Sequence, residues 1–262
     1  MNIFISVVII EYHSYLEIKE CIASLKAHLS IPYEIIVSSN SCYSEEQKEN
    51  IDKNEENVRW IFNEANNGFA YALDNGLQIA KGDFILTMNS DCILTSSIDD
   101  MIDFMVHHPE IGCIAPQIID KEGNIQDTAR PYVSLPRYIE RQIRRILGRK
   151  TSILDNKMDY TQIQTVDWVI GAFMIVSRKA YQLTGGLDRK YFMYAEDLDW
   201  CTRIRQQGLE IVYYPKTIII FKGTRRARNS LKFAKIFILS HIKYWLKFGF
   251  FYGYPHRRQT TY

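Results

Sequence analysis

Short apolar runs alternate with stretches of helical spacing through the first half of the chain. Ile3–Ile10 is nearly all apolar, the pattern of a strand buried on both faces. A helix is expected over Tyr15–Leu29 and a second strand over Tyr33–Val37. Ser44 and Glu45 open a charged helix, and Val58–Phe62 reads as a short third strand. Gly68–Ala80 is helical and closed by Gly82, Asp83–Met88 is a fourth strand, and Ile98–His107 is another helix. This strand–helix alternation predicts an α/β fold with a mostly parallel sheet flanked by helices.

The second half is less regular. Ile111–Ala115 and Gln117–Ile119 read as separate short strands, followed by a turn at Lys121-Glu122-Gly123-Asn124. Leu135, Tyr138, Ile139, Ile143, Ile146 and Leu147 recur at helical spacing, with Arg137, Arg141, Arg144 and Arg145 on the other face. Val166–Val176 is strand-like but interrupted at Gly171. Glu196–Gln207 is a helix stopped by Gly208, Ile211–Tyr214 and Thr217–Phe221 are short strands, and a long helix is expected over Asn229–Phe250. There is no internal repeat or low-complexity linker. The expected organisation is a domain over 1–222 and a basic, aromatic helical extension over 223–262 packed on it.

Composition adds an asymmetry. Residues 1–210 hold 21 Lys/Arg against 30 Asp/Glu, a net of −9, whereas residues 211–262 hold 11 Lys/Arg and no acid, a net of +11. The basic end suggests an anionic partner. On a helical wheel Arg228, Lys232, Lys235, Lys243 and Lys247 fall within an arc of about 120°, so a basic stripe laid on anionic lipid is expected; a solvated face on a packed helix is the competing reading. No nucleic-acid partner is expected, since no reading module accompanies the charge. The five cysteines lack CxxC spacing and read as reduced thiols. Ile3–Ile10 lacks a basic leader and a cleavage site, and no segment reaches a membrane-spanning length free of charge. The expected location is cytoplasmic, peripheral on the inner face of the membrane.

The chemistry concentrates in two acidic features. Asp91 stands just past the C-terminal tip of a buried strand, the edge where ligands bind in open α/β sheets. Glu196, Asp197 and Asp199 stand at the start of a helix. Taken alone, Asn89-Ser90-Asp91 is also a favoured turn, and acids favour helix N-termini. Asp199 is placed to pair with Arg203 one helical turn on.

Five stretches in order resemble the inverting glycosyltransferases of family 2, with the GT-A fold, and in particular their rhamnosyltransferase-like branch. They are Asn66-Asn67-Gly68-Phe69-Ala70, Leu86–Asp91, Val166–Met174, Gly185-Gly186-Leu187-Asp188 and Tyr191–Asp199. The resemblance covers roughly residues 5–222. It implies that Asn89-Ser90-Asp91 is a DxD-like element, with Asp91 holding Mg²⁺ or Mn²⁺ against a nucleotide diphosphate. It implies that Asp197 is the general base, with Glu196 orienting it or the acceptor. The donor would be held by Ser39, Asn40, Asn67, Gly68, Asn89, Asp91 and Lys222. Trp168, Gly171 and Ala172 would line the acceptor or sugar side, although a buried core Trp is an equal reading of Trp168.

Three positions depart from the family pattern. Ser39 stands where an Asp usually contacts the base or ribose, and Glu11-Tyr12-His13 ends the first strand unusually. Phe221, followed by Lys222, stands where a His metal ligand is common. Lys222, Arg225 and Arg226 could instead balance the diphosphate charge. The implied activity is transfer of a sugar, with L-rhamnose from dTDP-L-rhamnose the best guess, onto a hydroxyl of a growing, lipid-linked cell-surface glycan. A UDP-sugar donor and a catalytically weak nucleotide-sugar-binding scaffold subunit are the alternatives; a sugar nucleotidyltransferase lacks its expected Gly-rich, basic loop.

Overall fold

The computed structural model describes residues 3–55, 57–147, 158–223, 230–252 and 261–262. Four strands, β1 (Ile5–Glu11), β2 (Tyr33–Ser39), β3 (Val58–Phe62) and β4 (Phe84–Asn89), pair in parallel, and all finish at one edge of the sheet. The helices between them are α1 (Tyr15–His28), α2 (Glu45–Asn54) and α3 (Phe69–Ile79). In α1 the buried positions Ile18, Cys21, Ile22 and Leu25 recur as one helical face. A capping box between Ser44 and Gln47 starts α2.

After β4 the chain turns back in β5 (Cys92–Leu94), then forms α4 (Asp99–His107) and β6 (Ile111–Ile119). There follow β7 (Ala129–Arg130), α5 (Leu135–Ile146), β8 (Gln164–Thr165), β9 (Trp168–Val169) and β10 (Phe173–Ser177). The chain ends with α6 (Arg178–Thr184), α7 (Glu196–Gln206), β11 (Glu210–Phe221) and α8 (Leu231–Phe248). The main sheet has the order β3-β2-β1-β4-β10-β6-β11-β5, with β8 also on β11; β7 and β9 form a separate ribbon. Within that order β10 runs antiparallel between β4 and β6. This is the mixed, mostly parallel sheet expected of a GT-A fold.

Side chains alternate across the sheet. Ile5, Val7 and Ile9 of β1 face α1 and α4, whereas Val8 faces the layer of α3, α6 and α7. Both faces are therefore buried, which accounts for the continuous apolar runs.

Two strand boundaries differ from expectation. Residues 111–119 form one strand although Pro116 lies inside it; β10 pairs with β6 only at Cys113 and Ile114, so the amide that proline lacks is not needed on that side. Residues 210–221 are likewise one strand, with a register shift between Tyr214 and Ile218 that absorbs Pro215. The run 166–176 divides into β9 and β10 around Gly171.

Helix α8 is stitched to the domain. Tyr244 and Trp245 are buried, the Trp245 indole donates to the Val133 carbonyl at 2.6 Å, and Tyr244 and Thr202 share a hydroxyl hydrogen bond of 2.9 Å. Lys243 Nζ donates to the Lys190 carbonyl at 2.6 Å, and Lys247 Nζ reaches Asp188 at 2.8 Å and Asp199 at 2.7 Å. All four lysines of the expected stripe are exposed, and Lys243 and Lys247 also hold partners on the domain. Arg225, Arg226 and Arg228 lie outside the described residues.

Candidate active site

At the edge where β1, β2 and β4 finish, Ser90 and Asp91 form the turn between β4 and β5. The Lys222 amide donates to the Asp91 carbonyl at 3.0 Å, because β11 ends by pairing Phe221 with Cys92. Lys222 thus arrives beside the Asp91 turn, and its ammonium pairs with Glu20.

The second acidic feature meets the first through β10. The Asn89 amide donates to the Ala172 carbonyl at 3.0 Å, and the Cys92 thiol donates to that same oxygen at 3.1 Å. One residue earlier, the Gly171 amide donates to Asp197 Oδ2 at 2.8 Å, and the Leu198 amide donates to Asp197 Oδ1 at 2.8 Å. Two consecutive residues therefore tie the Asp91 turn to the Asp197 carboxylate, although the two acids are far apart in sequence. The space beside Gly171 is tight. A Cβ there would stand 3.3 Å from Asp197 Cβ and 3.6 Å from Oδ2.

The acidic helix start is held under strain. Tyr194 and Ala195 both adopt left-handed backbone, with φ of 70° and 64°. They aim Glu196 inward, and among the described residues its buried Oε2 has no hydrogen-bond partner. Burial, then the neighbouring Asp197 charge, pushes the Glu196 carboxyl well above the ordinary range. Burial also raises Asp197, opposed by the Gly171 and Leu198 amides and by the Arg130 charge. The two acids titrate as a pair. Asp199 has a different task. Fully buried, it is held by Arg203 Nε at 2.6 Å, by Lys247 and by the Tyr191 hydroxyl at 3.2 Å.

Gly68 explains how α3 meets this segment. Its φ is +101°, and a Cβ would stand 2.4 Å from the Phe192 carbonyl oxygen. That oxygen accepts from the Phe69 amide at 2.6 Å, so the α3 N-terminus docks on the acidic segment. Asn40 Nδ2 donates to the Gly68 carbonyl at 3.1 Å, which joins the β2 end to the same junction.

Several expected contacts fall differently. Ser39 and Asn40 are buried at 1% and 2% exposure. The Ser39 hydroxyl donates to Glu11, so it supports the edge from beneath and offers the donor no free group. Glu11 is the hub that sequence reasoning marked only as a departure. Its carboxylate accepts from Ser39, from Ser41 Oγ at 2.7 Å, from the Ser14 amide at 2.7 Å and from Tyr43 Oη at 3.1 Å. Ser14 Oγ then meets Ser90 Oγ at 2.9 Å, linking Glu11 to the Asp91 turn. Asn67 is exposed near the α3 start. Trp168 is 4% exposed; its indole donates to the Pro131 carbonyl at 2.8 Å, and the Arg130 guanidinium covers its ring at 5.1 Å. One face of the Trp168 ring is thus covered by Arg130. Arg130, which no sequence signal marked, is the cation whose charge reaches Asp197.

A family model described as "Glycosyl transferase family 2" matches residues 6–182. The chain belongs to that family. The relatives of this glycosyltransferase include the N-acetylglucosaminyl-diphospho-decaprenol L-rhamnosyltransferase of Mycobacterium tuberculosis, 24% identical over 239 residues, covering 84% of this chain and 76% of the relative. Another is the rhamnosyltransferase WbbL of Escherichia coli K12, 28% identical over 141 residues, covering 52% of this chain and 51% of that one. Among solved structures, GalNAc-T7 with UDP, GalNAc and Mn²⁺ superposes with a TM-score of 0.68 at 16% identity, over 97% of this chain and 51% of that chain. The mannosyltransferase PcManGT of Pyrobaculum calidifontis, in complex with GDP-Man and Mn²⁺, gives 0.63 at 13% identity, over 94% and 65%. At such identity these two likenesses establish the shared fold.

Those neighbours carry Mn²⁺, so the donor set of this glycosyltransferase matters. Among the described residues no three His, Cys, Asp or Glu side chains gather as a metal site. Around the turn stand the Asp91 carboxylate and the buried, unpartnered Asn89 Oδ1. Such a sparse set fits a hard cation that arrives with its substrate's phosphates and keeps most of its waters.

Proposed function

We propose that this glycosyltransferase moves a sugar, with inversion, from a nucleotide-diphosphate donor to a hydroxyl of a growing, lipid-linked cell-surface glycan. The observation that carries the reading is the Gly171-Ala172 bridge, which seats a proton acceptor beside the turn that would face the diphosphate. Asp197 accepts the acceptor's hydroxyl proton as that oxygen attacks the anomeric carbon. The bond to the diphosphate breaks with its electron pair on the leaving oxygen. Asp91 would hold Mg²⁺ or Mn²⁺, which neutralises charge on the diphosphate when bound. Lys222, whose ammonium would have to exchange Glu20 for the diphosphate, is the proposed second source of positive charge. Burial and the Asp197 charge raise the Glu196 carboxyl well above the ordinary range, whereas the Gly171 and Leu198 amides and Arg130 favour the charged form of Asp197.

L-Rhamnose from dTDP-L-rhamnose is the proposed donor, on the strength of the two rhamnosyltransferase relatives. The proposed location is peripheral, on the inner face of the membrane that carries the acceptor. Among the described residues no helix is long and apolar enough to cross a membrane. The test is turnover of dTDP-L-rhamnose and UDP-hexoses with a diphospholipid-linked acceptor, with and without divalent metal. Asp197→Asn is expected to keep donor affinity and lose about 10²–10⁴-fold in turnover. Near-normal turnover in that variant would refute the base assignment. Absence of both transfer and donor hydrolysis in the wild type would favour a nucleotide-sugar-binding scaffold.

A further inference from the structure

The first turn of α5 packs on the C-terminal half of α8. Tyr138 of α5 meets Trp245 of α8, with ring centroids 5.5 Å apart, and the Leu135 amide donates to the Phe250 carbonyl at 2.9 Å. Each helix uses one face for this packing and, among the described residues, leaves another exposed. On α5 the bare face carries Ile139, Ile143 and Leu147, spaced four residues apart and each about half exposed or more. On α8 it carries Leu239, Ile242 and Leu246, with Leu246 at 70% exposure, and Phe251 just beyond is at 69%. Isolated exposed apolar residues are ordinary, but successive ones along two adjoining helices are not.

The charge next to these stripes has one sign. Arg141 and Arg144 are exposed on α5, and Lys232 and Lys235 on α8. The one acid in α5, Glu140, is paired with Arg144 at 2.6 Å, and α8 has no acid. Neither helix is apolar enough to cross a bilayer. Apolar side chains flanked by cations on a helix that cannot span are the features of an element lying in the plane of an anionic lipid surface.

We propose that the outer faces of α5 and α8 together form a docking surface for an anionic lipid bilayer, with Ile139, Ile143, Leu239, Ile242 and Leu246 entering the acyl boundary. This moves the contact away from the four-lysine stripe that the sequence suggested, because the ammonium groups of Lys243 and Lys247 are held by Lys190, Asp188 and Asp199 of the domain. The inner side of α8 holds the catalytic segment: Ser240 Oγ donates to the Met193 carbonyl at 2.8 Å, and Lys247 grips Asp199. The lipid surface and the Asp197 region would then lie on opposite sides of one helix, a placement suited to a hydroxyl near a membrane-anchored diphosphate. That last point rests on the transferase reading above.

The experiment is sedimentation of the full chain with phosphatidylcholine vesicles, with and without phosphatidylglycerol. It compares wild type with Ile143→Asp/Leu246→Asp, with Lys232→Glu/Lys235→Glu, and with Leu16→Asp, an exposed position on α1 on the opposite face of the sheet. Thermal midpoints and turnover of a short soluble acceptor are read on the same preparations. The expected result is at least tenfold tighter binding to the anionic vesicles by wild type and by Leu16→Asp. The aspartate pair should lose at least tenfold of that affinity, and the glutamate pair should lose the preference for anionic lipid, both with unchanged midpoint and turnover. Wild type ignoring anionic vesicles at low salt would overturn the proposal. So would undiminished binding by both double variants, or a wild-type dimer that the aspartate pair dissolves. Absent turnover in every preparation, with vesicle binding as expected, would count against the transferase reading and leave the docking surface standing.

Discussion

Replacing Gly171 by alanine isolates the contact that joins the two halves of the site. The residue is not among those with positive φ, so the backbone accepts alanine without strain. The new methyl would stand 3.3 Å from Asp197 Cβ, inside the usual carbon–carbon separation of about 3.5–4.0 Å. Asp197 must give way by a few tenths of an ångström. If a misplacement of about 1 Å costs about 10²-fold in rate, a few tenths correspond to about three- to tenfold. Stability should hardly change, because alanine restricts the unfolded chain by about 0.4–1 kcal/mol relative to glycine and offsets a mild overlap. Initial rates at saturating acceptor should show kcat lower by about three- to tenfold, with donor KM within about twofold. Differential scanning fluorimetry should show a midpoint within a few degrees of wild type. Gly171→Val should lower kcat further. An unchanged kcat in Gly171→Ala would refute the idea that this contact positions the base, and a large loss of midpoint would place the effect in the fold.

Three further outcomes are expected. Asp91→Ala should weaken nucleotide-diphosphate binding and remove any effect of Mg²⁺ or Mn²⁺ on it, as read by calorimetry; equal affinity with and without metal in both proteins would favour charge balance by Lys222. The raised Glu196 carboxyl binds a proton in the folded protein at pH values where the unfolded chain has released it. Wild-type stability should therefore fall as pH rises from 4.5 toward the folded-state value, and Glu196→Gln should flatten that slope in thermal midpoints taken across the pH range. Lys247→Met should leave the buried Asp199 with Arg203 and Tyr191 alone and cost about 1.5–3 kcal/mol in denaturant unfolding, the worth of a charged hydrogen bond; a change below about 0.5 kcal/mol, the range of an ordinary surface substitution, would mean that solvent screens this half-exposed lysine.

The parallel half of the fold was legible because a strand covered on both faces must be apolar throughout. The runs Ile5–Ile10 and Phe84–Met88 could hardly be anything else. The Asp91 turn and the Asp199–Arg203 pair were legible for local reasons, a strand end and one turn of helix. Features that depend on distant partners were not. Pro116 and Pro215 broke the expected strands because the sequence does not show which neighbour has already left the sheet. The α6 segment Arg178–Thr184 is too short to show a periodicity. Glu11 looked like an oddity at the end of an apolar strand, since three of its four donors come from the distant stretch Ser39–Tyr43. Arg130 gave no signal, because its importance lies in a two-residue ribbon with Trp168. Lys247 looked like a surface charge because Asp188 and Asp199 approach it only after folding.

The antiparallel course of β10 has a consequence for how such an enzyme could change its substrate. Strands β1, β2 and β4 arrive at the edge of the candidate site by their ends. Strand β10 arrives by its beginning, at Gly171-Ala172, and only then enters the pairings Phe173 with Met88 and Ile175 with Ile114. Between the β9 ribbon and β10 only Ile170, Gly171 and Ala172 stand outside a ladder, so exchange at Ile170 leaves the pairings of Met88 and Ile114 with β10 in place. On the proposed transferase reading, acceptor choice and donor handling would then meet at this short crossing, and exchange of Ile170 is the change that would alter one while keeping the other.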